Sequence, residues 1–156
     1  MRIAVTSDEP YAVHADLVAW LEQHGHHVVR FGSFADGSEV SYVAAAEAAA
    51  RAVASGDCAM GVFACWTGTG VSIAANKVAG VRAALCGDAP TAAGARVWND
   101  ANVLCLSNRS LSRDVAREVL AAWFTSGPDA TSAAAVADLV GLDARTRCYT
   151  PGPGEP

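Results

Sequence analysis

Lysine is nearly absent from this chain: Lys77 is the only one among 11 basic residues in 156, and the formal net charge is −5. Nucleic-acid phosphates are gripped by clustered Lys and Arg, so this charge balance argues against a nucleic-acid partner. Long apolar runs are missing too. Each is broken by Asp, Glu, Gly or Arg well short of the ~18 residues that a membrane helix needs, and no membrane span is expected. The start, Met1-Arg2-Ile3-Ala4-Val5, reads directly as a strand with no apolar signal segment before it. No Cys-x-x-Cys, His-x-x-x-His or His-Glu-x-x-His occurs, which leaves a zinc site without support. The five cysteines (Cys58, Cys65, Cys86, Cys105 and Cys148) are odd in number and not closely paired, as expected of reduced thiols in a cytoplasmic protein. His24, His26 and His27 flank Gly25 and read as a solvated loop.

What is present is apolar. Hydrophobic residues make up 52% and charged residues 17%, enough to fill a core at this length. One domain over residues 1–145 is expected, followed by a Pro/Gly-rich tail over 146–156. Strand and helix patterns alternate. Strands are expected at 2–6, 27–31, 60–65, 82–86 and 103–106, and helices at 12–24, 41–55, 72–78, 89–98, 115–124 and 132–140, with a loop at 32–39. Such alternation implies an α/β fold, a parallel sheet with helices on both faces, because each crossover must cover a face. His14, on the first helix, is read as part of a solvated polar face.

In an open parallel sheet the chemistry sits beyond the carboxyl ends of the strands. Three segments fall there: Asp8-Glu9, Cys65–Gly70 and Gly87-Asp88. Cys65-Trp66-Thr67-Gly68-Thr69-Gly70 is the richest. A glycine-rich turn into a helix presents backbone N–H groups that favour an anion, and a thiol beside them has its thiolate stabilised. A base next to an oxyanion-binding turn is what proton abstraction alpha to a carbonyl requires. The turn lacks the third glycine of a dinucleotide fingerprint and the Gly-Lys-Ser/Thr of a phosphate-binding loop. Tight packing and a core cysteine are the bland readings of the same residues.

The run from Cys65 through Val71-Ser72-Ile73-Ala74-Ala75-Asn76-Lys77 resembles the signature of the type B ribose-5-phosphate isomerase and galactose-6-phosphate isomerase family. The resemblance extends through Gly80–Cys86 and Asn99–Leu104, and covers Met1 to about Thr125. It implies a Rossmann-like three-layer αβα sandwich with a five-stranded parallel sheet. It further implies a homodimer or dimer of dimers with active sites shared across the interface, a small sugar or sugar-phosphate substrate, and no metal or organic cofactor. By the same resemblance Cys65 is the base that moves a proton between C1 and C2 through a cis-enediolate. Thr67 assists ring opening and proton relay, and Gly68, Thr69 and Gly70 form the anion hole. Asp8, Tyr42 and Asn99 bind substrate, while Arg109 reaches the substrate phosphate from the partner subunit.

Departures from the family pattern cluster on two functions. Glu9 and Trp98 stand where the family has histidines, the second of which assists ring opening. Trp66 replaces a glycine and Ser41 an acid, and residues 127–139 hold no Arg, His or Lys where the family carries a phosphate clamp. Arg113, one turn past Arg109, could supply a second cation, or be a solvated helix residue. Trp66 and Trp98 read either as packing or, with Glu9, as part of the substrate pocket. Cys58, Cys86 and Cys105 read as core, and Asp88 as a helix cap. The leading expectation is an isomerase whose substrate departs from ribose 5-phosphate. A non-catalytic partner subunit of a hetero-oligomer is the alternative, and a nucleotide-binding regulator ranks last.

Overall fold

The computed structural model describes residues 1–147. Cys148 and most of the expected tail lie outside them, and the last helix runs through Arg147. Five strands, β1 (Arg2–Ser7), β2 (His27–Arg30), β3 (Met60–Cys65), β4 (Ala83–Leu85) and β5 (Val103–Ser107), form one sheet in the order β2-β1-β3-β5-β4. Every pairing is parallel. The helices are α1 (Val13–Gln23), α2 (Ser33–Asp36), α3 (Tyr42–Ala54), α4 (Thr69–Ala75), α5 (Ala89–Asn99), α6 (Arg113–Thr125) and α7 (Ala133–Arg147). This is the Rossmann-like three-layer sandwich that the resemblance implies, with the parallel sheet that the alternation implies.

The sheet serves two cores because successive side chains of a strand point to opposite faces. Ile3, Val5, Val62, Ala64, Leu104 and Leu106 pack with Leu17, Leu21, Leu120 and Trp123 under α1, α5 and α6. Ala4, Phe63, Cys65, Val103 and Cys105 pack under α3 and α4. The alanines of α3 (Ala46, Ala49 and Ala50) are wholly buried there, and their small size lets the helix lie close against the strands. Cys58, Cys86 and Cys105 are core residues, as expected. Burial pushes the Cys86 thiol up to about 11 and the Cys105 thiol higher still.

Helix ends follow their caps. Asp88 accepts from the Thr91 amide at 2.7 Å and opens α5; the Ser41 and Ser112 hydroxyls do the same for α3 and α6. Two expectations give way. Residues 32–39 hold the short helix α2 rather than loop alone. Helix α4 spans Thr69–Ala75 rather than 72–78. It starts early because Gly68, with φ +74°, turns the chain straight from β3 into the helix. It stops early because Asn76 clasps Ala83 at the head of β4: its Nδ2 donates to the Ala83 carbonyl at 2.8 Å and its Oδ1 accepts from the Ala83 amide at 2.9 Å.

Trp123 is the largest fully buried side chain and sits on the α6 face of the core, with the Arg96 guanidinium 5.5 Å from its ring. Trp123→Ala should lower the unfolding free energy by about 3–5 kcal/mol, the usual cost of deleting a buried aromatic. Urea titration checks this; a loss below about 1 kcal/mol would contradict the packing described.

Candidate active site

The strand order places a crevice between β1 and β3. After β1 the chain passes to α1 on one face of the sheet, and after β3 to α4 on the other, so the two connections diverge at their carboxyl ends. Asp8 stands on one lip and Cys65 on the other. Cys65 is buried at the end of the central strand, in register with Ser107 of β5. Its carbonyl accepts from the Gly68 amide at 3.2 Å and from the Asn108 amide at 2.9 Å, which ties the turn to the end of β5.

The turn itself is tightly specified. A Cβ on Gly68 would stand 2.8 Å from the Leu106 carbonyl oxygen, and the positive φ already favours glycine. At Gly70 a Cβ would meet the Tyr42 ring at 2.9 Å, so Tyr42 lies against this turn. The Thr67 and Thr69 hydroxyls are 2.7 Å apart and exposed.

On the opposite lip Asp8 Oδ1 accepts from the Glu9 amide at 3.1 Å and from the Ser7 hydroxyl at 3.3 Å. Glu9 is held by the Tyr11 hydroxyl at 2.9 Å, and that hydrogen bond is the main reason the Tyr11 phenol is raised above its ordinary range. The Tyr11 ring stacks on Trp66, 6.2 Å between centroids. Trp66 is therefore neither core nor loose surface; with Tyr11 and Glu9 it walls the crevice.

Four further residues named from the sequence are placed by their elements. Arg109 follows β5, and its amide donates to the Trp66 carbonyl at 3.0 Å, which sets its backbone beside the Cys65 turn. Arg113 is not a spare cation: its Nε pairs with Asp16 of α1 at 2.8 Å. Trp98 and Asn99 end α5, which returns from the carboxyl end of β4 to the amino end of β5. They consequently sit toward the amino end of the sheet, one helix length of about 16 Å from the start of α5 at its carboxyl end. Trp98 packs over Gly94 of its own helix and is 63% exposed, which removes the core reading. The cations near that edge are engaged: Arg82 and Arg96 both pair with Asp100.

His14 corrects the sequence reading most sharply. It is buried, not solvated, with Nε2 3.0 Å from Asn108 Oδ1 and its ring stacked on Phe34 at 4.3 Å. Burial holds its imidazole below the ordinary histidine range, against weaker opposing pulls from the Asn108 hydrogen bond and the Asp8 charge. The spacing of His14 with Leu17, Val18 and Leu21 was the available signal, since it puts the ring on the apolar stripe of α1. Asn108 and Ser7, its neighbours in the site, carried no sequence signal. Among the described residues no group of three His, Cys, Asp or Glu side chains could hold a metal ion, and no helix is long and apolar enough to cross a membrane.

A family model described as Ribose/Galactose Isomerase matches residues 3–138. Ribose-5-phosphate isomerase B of Escherichia coli (strain K12) is 37% identical over 108 residues, 69% of this chain and 72% of that protein. D-erythrulose-4-phosphate isomerase of Pectobacterium atrosepticum is 36% identical over 104 residues, 67% of this chain and 68% of that protein. The solved structure of Clostridium thermocellum ribose-5-phosphate isomerase B superposes with a TM-score of 0.87 at 33% identity, covering 94% of this chain and 99% of that one. With its sheet order, its Cys65 turn and these matches, the chain belongs to the ribose/galactose isomerase family.

Proposed function

We propose that the chain is a cofactor-independent aldose–ketose isomerase with Cys65 as its base, acting on a short, open-chain sugar phosphate in preference to ribose 5-phosphate. The observation that carries the reading is the crevice itself: a buried thiol at the end of the central strand, bounded by a glycine turn, with Asp8 and Arg109 on either side. The Cys65 thiolate removes the proton from C2 of the aldose. The resulting cis-enediolate is held at the Gly68–Gly70 turn by the amides of Thr69 and Gly70, the Gly68 amide being taken by the Cys65 carbonyl, and the proton returns to C1. Thr67 and Asp8 are placed to pass the second proton between the two sugar oxygens.

Substrate choice follows from what replaces the family's histidine and phosphate clamp. Trp98 cannot protonate a ring oxygen, so a cyclic sugar would have to open unaided or through Thr67 and Asp8. A tetrose phosphorylated on its terminal hydroxyl has no oxygen left to close a five-membered ring and needs no such help. Arg109 is then the cation at the crevice, against the carboxylates of Asp8 and Glu9. Each missing charge-assisted hydrogen bond to a phosphate costs roughly 1.5–3 kcal/mol, a decade or more of affinity. The relative named for D-erythrulose 4-phosphate supports a four-carbon substrate.

Trp98 and Asn99 reach such a site only from a second copy, whose sheet presents its amino edge to the first copy's crevice. Exposed apolar side chains on both edges (Tyr42, Val43, Trp66 and Ile73 near the crevice, Trp98 at the other end) support that arrangement. The cytoplasm, where thiols stay reduced, suits a cysteine base.

Three outcomes are expected. Cys65→Ala should lower kcat by about 10³-fold or more with the fold intact, because only proton abstraction is lost; retained turnover removes the base assignment. The ratio of kcat/KM for D-erythrulose 4-phosphate over ribose 5-phosphate should exceed about ten, since a ring-opening group alone contributes about 10²–10⁴. Efficient turnover of ribose 5-phosphate would restore the pentose as substrate. Sedimentation at micromolar concentration should give at least a dimer, and Asn99→Ala should raise KM while leaving that dimer in place. A clean, active monomer would remove the shared site.

A further inference from the structure

His14, Asn108 and Ser7 form a single directed hydrogen-bond chain that ends on Asp8. The Tyr11 amide can only donate, and it donates to His14 Nδ1 at 3.3 Å. Nδ1 therefore carries no proton, and the neutral ring, favoured by burial, must carry its proton on Nε2. Nε2 donates to Asn108 Oδ1 at 3.0 Å, which fixes the amide so that Nδ2 donates to Ser7 Oγ at 3.3 Å. With its lone pair so occupied, the Ser7 hydroxyl directs its own proton to Asp8 Oδ1 at 3.3 Å. The Glu9 amide donates to the same oxygen. Both donors fall on Oδ1, so Oδ2 is left to face the crevice.

We infer that His14 is a positioning residue for Asp8, acting through Asn108 and Ser7 to decide which carboxylate oxygen meets the sugar. Three elements meet in this chain: the end of β1, the first turn of α1 and the end of β5. The His14 ring is fixed independently by its stack on Phe34 and an edge contact with Tyr11 at 5.7 Å. A reversed tautomer would turn Asn108 over, point its carbonyl at Ser7 and rotate the serine proton away from Asp8. The inference rests on the isomerase reading only for its kinetic consequence; the hydrogen-bond chain stands without it.

The test uses the full chain and two independent readouts. Nitrogen-15 NMR of the histidine rings at pH 7 should show His14 neutral with its proton on Nε2, and the Asn108 side-chain amide protons should exchange slowly. In His14→Leu that protection should vanish, and in His14→Gln, whose amide can donate to Asn108, it should return. An Nδ1–H ring, an imidazolium at pH 7, or unchanged Asn108 protection in His14→Leu would overturn the inference even if no sugar is turned over.

With D-erythrulose 4-phosphate or ribose 5-phosphate, whichever is turned over, His14→Leu should lower kcat about tenfold with KM changed less than threefold, since small misplacements cost heavily in rate. His14→Gln should restore at least half of the lost rate, and His14→Leu/Asn108→Leu should be no worse than either single variant. Equal behaviour of the Leu and Gln variants, or a loss in thermal stability alone, would mean a packing role. Retained activity in Cys65→Ala, by contrast, would sink the isomerase chemistry and leave the NMR result untouched.

Discussion

The passage from β3 into α4 through Gly68 is the constraint on which the rest of the site depends. A strand that turns into a helix within three residues needs a left-handed backbone at the corner, and the corner here packs against Leu85 and the Leu106 carbonyl. That close approach locks the turn to the neighbouring strands. It also sets the first turn of α4 directly after the strand that carries the buried Cys65. The β5 end then closes the frame, since the Cys65 and Trp66 carbonyls are taken by Asn108 and Arg109 amides. Cys65, the amides and Arg109 are thus one rigid unit built from backbone hydrogen bonds.

Around this unit the molecule has exchanged charge for aromatic surface. Glu9, Tyr11 and Trp66 form a connected wall on the β1 side of the crevice, and Arg113 is turned away to Asp16. The wall adds a carboxylate where a phosphate would prefer a cation. A sugar with hydroxyls on that flank can hydrogen-bond Glu9 and lay a carbon face on Trp66.

The architecture was legible in the sequence because period and punctuation agreed. Met60–Cys65 is a continuous apolar run ending in a glycine turn, and its bounds in the structure are those expected. Asp8 and the Cys65–Gly70 segment also lie at the carboxyl ends of β1 and β3, as the strand pattern implies. The misreadings have a common physical origin, in that they depend on what a side chain meets across the fold. His14 looks polar in isolation, yet it lies on the buried stripe of α1 and finds a partner 94 residues away in Asn108. Arg113 looks like a second cation until Asp16 on the neighbouring helix claims it. Helix α4 was drawn three residues late because capping by a left-handed glycine leaves no Ser, Thr, Asp or Asn to mark the start.

The account stands or falls on a proton leaving and returning to sugar carbon by way of a protein base open to solvent exchange. Isomerisation in deuterium oxide, followed by proton and carbon NMR of the product, measures that transfer directly. An enediolate formed by Cys65 predicts deuterium at C1 or C2 of the product in the wild-type reaction, and loss of that rapid labelled turnover, down to the uncatalysed rate, in Cys65→Ala. A product that forms at full rate with no deuterium on either carbon would mean a direct hydride shift and would contradict the mechanism.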